Sequence, residues 1–97
     1  MSQVSFAPAA IRDLQRLREF LQPKSADAAQ RASDAIRQGV KILGAHPRLG
    51  RMVDELPDAF REWLIDFGDS GYVVRYRIGE KAITILAIRH QREAGYS

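Results

Sequence analysis

Residues 60–96 read FREWLIDFGDSGYVVRYRIGEKAITILAIRHQREAGY, and this last third of the chain contains most of the predicted sheet. Three apolar, β-rich runs, Phe60–Phe67, Gly71–Ile78 and Ala82–Ile88, are separated by the short segments 68–70 and 79–81. Runs of this length, bounded by turn residues, are typical of strands joined by hairpins. We therefore predict a three-stranded antiparallel meander that delivers a basic tail, residues 89–96, to one edge of the sheet.

Alternation along these strands separates an apolar face from a more basic one. In the first strand, one face is predicted to carry Arg61, Trp63, Ile65 and Phe67, and in the second strand one face carries Tyr72, Val74, Tyr76 and Ile78. In the third strand, one face carries Ala82, Thr84, Leu86, Ile88 and His90, and the other face carries Ile83, Ile85, Ala87 and Arg89. We expect the apolar faces to be buried. The opposite face, with arginines from more than one strand, is expected to remain open as a shallow basic surface.

A short strand and a first helix precede the meander. Gln3–Phe6 alternates polar and apolar residues, which favours a strand at an edge or paired with the meander. Pro8 suits the first turn of a helix, and Gln22-Pro23 ends that helix. The predicted apolar stripe of this helix comprises Ala10, Ile11, Leu14, Leu17, Phe20 and Leu21.

A second helix follows, with Ser25 as its candidate N-cap and Gly44 and His46-Pro47 at its end. Its stripe comprises Ala29, Ala32, Ile36, Val40 and Leu43. The two stripes predict an antiparallel helix hairpin, with Gly39 a candidate packing contact. Pro47–Asp58 is a loop rich in breakers. The predicted fold class is therefore α+β: a short N-terminal strand, the helix hairpin, and the antiparallel meander packed against the helices.

Composition narrows the function classes. The 97 residues leave room for one core, so we expect a single domain spanning residues 1–97. No apolar run is long enough to cross a membrane, and the first residues lack the pattern of a secretory signal, so we expect a soluble, cytoplasmic bacterial protein. Two distant histidines and no cysteine predict no metal site and no cofactor. The net charge of +3 suits a polyanion or an acidic protein partner.

The tail carries groups that suit RNA cleavage. Attack of a 2′-hydroxyl needs a base, a cation for the phosphate and a proton source, and His90, Arg92 and Tyr96 are residue types that can divide these roles. The structural alternative is that His90 finishes a strand, Arg92 pairs on the surface with Glu93, and Tyr96 packs an edge. The three residues alone leave both interpretations open.

The order of elements and three motifs resemble the RelE/ParE superfamily of toxins from bacterial type II toxin–antitoxin systems. These motifs are Leu56-Pro57-Asp58, the run 71–77 (GYVVRYR) and the run 88–93 (IRHQRE). The resemblance covers nearly the whole chain and is most specific in the loop His46–Arg51 and the run to Tyr96. It implies a growth-inhibiting toxin that forms a hetero-oligomer with a cognate antitoxin, which folds on binding by laying a helix on the hairpin or a strand on the sheet edge.

Two activities occur in this superfamily. RelE-like members cut mRNA in the ribosomal A site, and the resemblance places that pattern on Arg61, His90, Arg92 and Tyr96. Two positions depart from it, because Trp63 and Val73 stand where RelE-like members carry basic residues. Loss of such donors costs roughly 2–4 kcal/mol each in transition-state stabilisation, by analogy with oxyanion sites.

ParE-like members instead bind DNA gyrase and trap it on cleaved DNA. The long helix hairpin, the loop His46–Arg51 and the incomplete basic set favour this second activity. A third possibility is an interaction module without toxicity. In all cases the residues predicted to contact the antitoxin or the target are Arg48, Arg51, Arg75, Arg77, Arg89 and Arg92, with Arg75, Arg77 and Arg92 facing antitoxin carboxylates.

Overall fold

The computed structural model describes residues 3–92, which form two helices on one face of a five-stranded sheet. The elements in chain order are β1 Gln3–Phe6, α1 Pro8–Leu21, α2 Ala26–Ala45, a 3₁₀ turn Pro47–Leu49, β2 Arg51–Met52, β3 Phe60–Phe67, β4 Ser70–Ile78 and β5 Ala82–His90. The sheet order is β1-β5-β4-β3-β2, with β1 parallel to β5 and every other pair antiparallel. The predicted α+β fold with its helix hairpin and meander is confirmed, and β1 is both an edge strand and paired with the meander.

Local signals in the sequence determine where the helices begin and end. Pro8 occupies the first turn of α1. The hydroxyl of Ser25 accepts a hydrogen bond from the Ala28 N–H at 3.1 Å, which confirms the predicted N-cap of α2. Gly44 was predicted to end that helix, but it is buried within it. The helix α2 continues to Ala45, shortly before Pro47.

The core lies between the helix hairpin and the sheet. All five stripe residues predicted for α2 are buried. Gly39 is also buried, and a Cβ there would lie 2.5 Å from Ile65 Cδ1, so this glycine allows α2 to approach β3 closely. The stripe of α1 is narrower than predicted, because Ile11 and Phe20 are 54% and 63% exposed. They lie on the flanks of the helix, where the sheet does not reach them.

A β-bulge corrects the predicted faces of β5. Arg75 pairs with Ala87, whereas its neighbour Tyr76 pairs with Ile85, so Leu86 is an extra residue without a partner on β4. The bulge reverses the alternation. Ile83 and Ile85 therefore share the buried, helix-covered face with Ile88, contrary to the strict alternation used above.

The bulged region is tied to α1 by Asp13. The Gln91 N–H bonds to Gly71, so the alternation of an antiparallel ladder turns the N–H of Ile88 away from β4, towards the edge where β1 has already ended. The Asp13 carboxylate accepts that N–H at 2.9 Å. A donor at the edge of the sheet is thus satisfied by the helix that covers it.

Candidate functional site

Arg61, the first of the predicted catalytic residues, ties down the loop between β2 and β3. It lies in β3 opposite Tyr76, on the helix side of the sheet, and is half-buried. Its guanidinium donates to the carbonyl oxygens of Asp58 and Gly50, both at 3.1 Å. These two bonds connect Gly50, immediately before β2, with Asp58, shortly before β3, so the side chain stabilises this part of the structure.

His90 lies at the other end of the sheet. Its Nε2 is 2.9 Å from the Ser70 hydroxyl, and the backbone N–H of Arg92 donates to its Nδ1 at 3.1 Å. Since Nδ1 accepts a hydrogen bond, the proton of the neutral ring is on Nε2 and points at Ser70. Tyr72 meets the ring edge-on with 5.5 Å between centroids. In this tautomer the imidazole donates to Ser70, and both ring nitrogens have hydrogen-bond partners within the chain.

The structure brings together only part of the predicted catalytic set. His90 and Arg92 line one pocket, but Arg61 lies four residues along β3 from Ile65, the residue level with His90. Four strand residues span about 13 Å. Tyr96 lies outside the described residues. The two groups that the structure does bring together are therefore His90 and Arg92.

The loop His46–Arg51 is fixed by Tyr76, a contact that the sequence did not reveal. The buried phenol donates to the Pro47 carbonyl at 2.6 Å and accepts from the Gly50 N–H at 2.9 Å. Burial raises the pKa of Tyr76 above its usual value of 10.0, while the bond to Gly50 and the nearby Arg61 act in the opposite direction. Arg48 is thereby presented on a rigid turn, exposed beside a shallow depression formed with Leu49 and Ile78.

The uncovered face of the sheet, here called the open face, carries four of the six predicted binding arginines. Register and alternation place Arg51, Arg75, Arg77 and Arg89 on it. The predicted basic surface is therefore present, but Glu62 lies in its middle. This carboxylate is only 7% exposed, and it accepts from Arg51 at 2.9 Å and from Arg75 at 2.7 and 3.0 Å.

A pocket of about 650 Å³ lies between α1 and the β3–β4 hairpin. Its apolar wall comprises Leu17, Phe20, Leu21, Phe67 and Tyr72. Its rim is polar and includes Arg16, Asp69, Ser70, His90 and Arg92. The Lys24 ammonium lies 4.0 Å above the Phe20 ring. Phe20 had been predicted to face the core; its exposure at this rim identifies a surface that the sequence analysis did not find.

Among residues 3–92, no helix is long and apolar enough to cross a membrane. The same range contains no group of three or more His, Cys, Asp or Glu side chains arranged to hold a metal ion.

A family model and a similar protein match this chain over most of its length. The family described as ParE toxin of type II toxin–antitoxin system, parDE, matches residues 4–95. Toxin RelE3 of Caulobacter vibrioides is 39% identical over 93 residues, which cover 96% of this chain and 98% of that protein.

Two solved structures share the fold. The chromosomal ParDE TA system from P. aeruginosa gives a TM-score of 0.73 at 21% identity, covering 93% of this chain and 96% of that chain. A conserved hypothetical protein from Helicobacter pylori gives 0.55 at 13% identity, covering 96% and 98%. At these identities the likeness is one of architecture alone.

Proposed function

The chain belongs to the ParE toxin family of type II toxin–antitoxin systems, and from this premise we propose that it arrests growth by binding and inhibiting DNA gyrase. Gyrase inhibition differs from the RelE-like activity, because RNA cleavage requires a base, cations and an acid around one phosphate. Inhibition by binding needs only a rigid surface of suitable shape and charge.

The observation that carries the proposal is the dispersal of the groups that RNA cleavage would need. Arg61 is bound to two loop carbonyls at one end of β3, whereas His90 lies about 13 Å further along the sheet. His90 also holds its proton towards Ser70. A general base must reach the proton it abstracts, and neither of these side chains is directed at a common substrate position.

The surface we assign to gyrase is the loop His46–Arg51. Tyr76 bonds both Pro47 and Gly50, so the loop does not need to be ordered on binding. A rigid loop loses less conformational entropy when a partner binds, which favours affinity. Arg48 is an exposed cation of this loop and lies next to the exposed Leu49, a combination that suits a protein partner.

A gyrase supercoiling assay tests this proposal. Purified protein in molar excess should reduce supercoiling, and Arg48→Ala should weaken the inhibition at least about tenfold, as loss of an interface anchor does. The matched control is Arg37→Ala, which removes another exposed arginine, from α2, where it pairs with Asp34. Supercoiling that continues unchanged in the presence of the wild-type protein would refute gyrase as the target.

The second candidate is a ribosome-dependent mRNA endonuclease, which is favoured by the name of the relative Toxin RelE3. Adding the protein to a reconstituted translation reaction and mapping mRNA ends by primer extension distinguishes the two. Cuts at codon positions that weaken in His90→Ala and Tyr96→Phe would establish the endonuclease. Intact mRNA, from a preparation that still arrests growth, would support gyrase.

The cognate antitoxin is the partner for which we propose the pocket between α1 and the β3–β4 hairpin. An acidic amphipathic segment that folds on binding matches its apolar wall and the arginines Arg16 and Arg92 at its rim. Of the arginines predicted to face antitoxin carboxylates, Arg77 and Arg92 are exposed, whereas Arg75 is bound to Glu62.

Phe20 provides a direct test of this surface. Phe20→Ser should weaken antitoxin binding by roughly 30-fold, the effect of losing an aromatic anchor of about 2 kcal/mol. Ile11→Ser is the matched control, because Ile11 is a similarly exposed apolar residue on α1 but does not line the pocket. Calorimetric titration with the cognate antitoxin measures both. Equal losses for the two variants would show that the antitoxin binds elsewhere.

A further inference from the structure

Glu62 is unusual among the acidic residues of the range 3–92 because it is buried in a sheet face that no helix of that range covers. Arg51 on β2 and Arg75 on β4 flank it, as the strand register requires, since Arg51 and Arg75 both pair with Glu62. The carboxylate receives three hydrogen bonds, one from Arg51 on Oε1 and two from Arg75 on Oε2. Both oxygens are therefore engaged.

The geometry around Glu62 is that of an anion site. Guanidinium groups bind carboxylates and phosphates through the same parallel N–H groups, and two arginines converging on one oxyanion form a typical phosphate site. Here the anion belongs to the chain. An external phosphate would have to displace a carboxylate that is already in place and that loses no translational freedom when it binds.

We propose that Glu62 is a specificity-determining residue that prevents Arg51 and Arg75 from binding nucleic-acid phosphates. With Glu62 present, two of the open face's arginines are bound to an internal carboxylate, which cancels one of their two positive charges. Arg77 is the exposed arginine of that face that makes no ion pair with any residue of the range 3–92. Without Glu62, two adjacent cations would face solvent on a shallow sheet surface and would accept a polyanion.

This role matters for a basic protein. A chain of net charge +3 meets nucleic acid throughout a cell, and phosphate binding without sequence preference would compete with a protein target. The biological meaning of the inference rests on the proposed function, in which the target is reached by protein contact. The binding property itself does not depend on it.

The test compares two variants that change net charge equally. Glu62→Gln removes the internal anion, and the control Asp66→Asn removes an exposed carboxylate from the same face of the same strand. Fluorescence anisotropy with a labelled oligouridylate of about 20 nucleotides, at about 50 mM salt, gives the affinity. We expect Glu62→Gln to bind roughly tenfold or more tightly than wild type, and Asp66→Asn to stay within about twofold. Two new phosphate contacts should steepen the salt dependence by about 1.4 in log–log slope.

Equal tightening in both variants would attribute the effect to net charge and overturn the proposal, as would no tightening in a Glu62→Gln protein with native circular dichroism. If Glu62→Gln does not fold, a second pair in the otherwise wild-type chain decides. Arg77→Gln should weaken oligouridylate binding more than Arg51→Gln, because the guanidinium of Arg51 is held by Glu62. Equal weakening by these two variants would also overturn the proposal.

The RNA-binding result and the gyrase result are independent. A protein that leaves gyrase unaffected but shows the expected Glu62→Gln effect would lose the proposed target and keep this inference. If the protein inhibits gyrase but Glu62→Gln and Asp66→Asn change oligouridylate affinity equally, the proposed target stands and this inference is overturned.

Discussion

Replacing Tyr76 with phenylalanine removes one oxygen atom from the centre of the protein and leaves the ring in place. That oxygen joins β4 to the turn after α2, since it donates to the Pro47 carbonyl and accepts from the Gly50 N–H. Tyr76 is fully buried. The substitution therefore leaves the Pro47 carbonyl and the Gly50 N–H without the hydrogen-bond partner that the phenol supplies.

The expected loss follows from these two groups. An unsatisfied buried donor or acceptor costs about 1–3 kcal/mol. Gly50 is buried and Pro47 half-buried, so we assign about 2 kcal/mol to the N–H and about 1 kcal/mol to the carbonyl. A total near 3 kcal/mol is smaller than the typical stability of a small domain, so Tyr76→Phe should still fold.

Urea unfolding at neutral pH measures this loss. With a slope of about 1.5 kcal/mol per molar urea, the midpoint should fall by about 2 M. Ser5→Ala is the control, because it also deletes one hydroxyl but that hydroxyl lies 3.5 Å from its nearest partners at the protein surface. A decrease below about 1 kcal/mol for Tyr76→Phe would show that the phenol does not fix the turn.

Alkaline pH gives a second measurement on the same residue. Because the folded-state pKa of Tyr76 is raised above 10.0, the unfolded chain loses this proton first as pH increases. The contribution is complete below pH 10 and is lost as pH rises through the folded-state pKa. The difference in stability between wild type and Tyr76→Phe should therefore shrink above pH 10. A constant difference would contradict the assigned burial.

Substitutions at Asp13, Gly39 and Gly68 test a hydrogen bond, a packing contact and a backbone angle by the same urea assay. Asp13→Ala should cost about 1–2 kcal/mol by freeing the Ile88 N–H, whereas Asp13→Asn, which keeps an acceptor oxygen, should cost less than half as much. Gly39→Ala should destabilise by about 1 kcal/mol net, since contact with Ile65 outweighs the gain in helix propensity, and Ile65→Val should recover part of this loss. Gly68→Ala should cost about 1 kcal/mol for its φ of 62° alone, because a Cβ there meets nothing within 4 Å.

Local signals made the helices predictable. The Ser25 cap and the α2 stripe each depend on residues within one or two turns of each other. β2 was missed because a two-residue strand among glycine, proline and acidic residues has no periodicity. The bulge at Leu86 was missed for a different reason: it depends on the pairing with β4, and the alternation of 82–88 gives no indication of it.

The candidate site was predictable in its parts but not in its arrangement. Alternation alone identified Arg75 and Arg77 as residues of the open face, whereas Arg51 was expected in a loop. The pairing of Arg75 with Glu62 was accessible too, because a hairpin closed by Gly68-Asp69 fixes the register that places these two residues opposite each other. The hydrogen bonds from Arg61 to Gly50 and between His90 and Ser70 could not be predicted from the sequence, because these partners are 11 and 20 residues apart in the chain.

The extra residue in β5 has a consequence for how chains of this fold can differ in length. Inserting or deleting one residue in a regular strand exchanges its buried and exposed faces, so such changes are rarely tolerated. At Leu86 the two halves of β5 are already paired correctly with β4 on either side, and removing this residue restores plain alternation from Ile83 to His90. Insertions and deletions within the sheet should therefore be tolerated at this position and selected against along the rest of the strands.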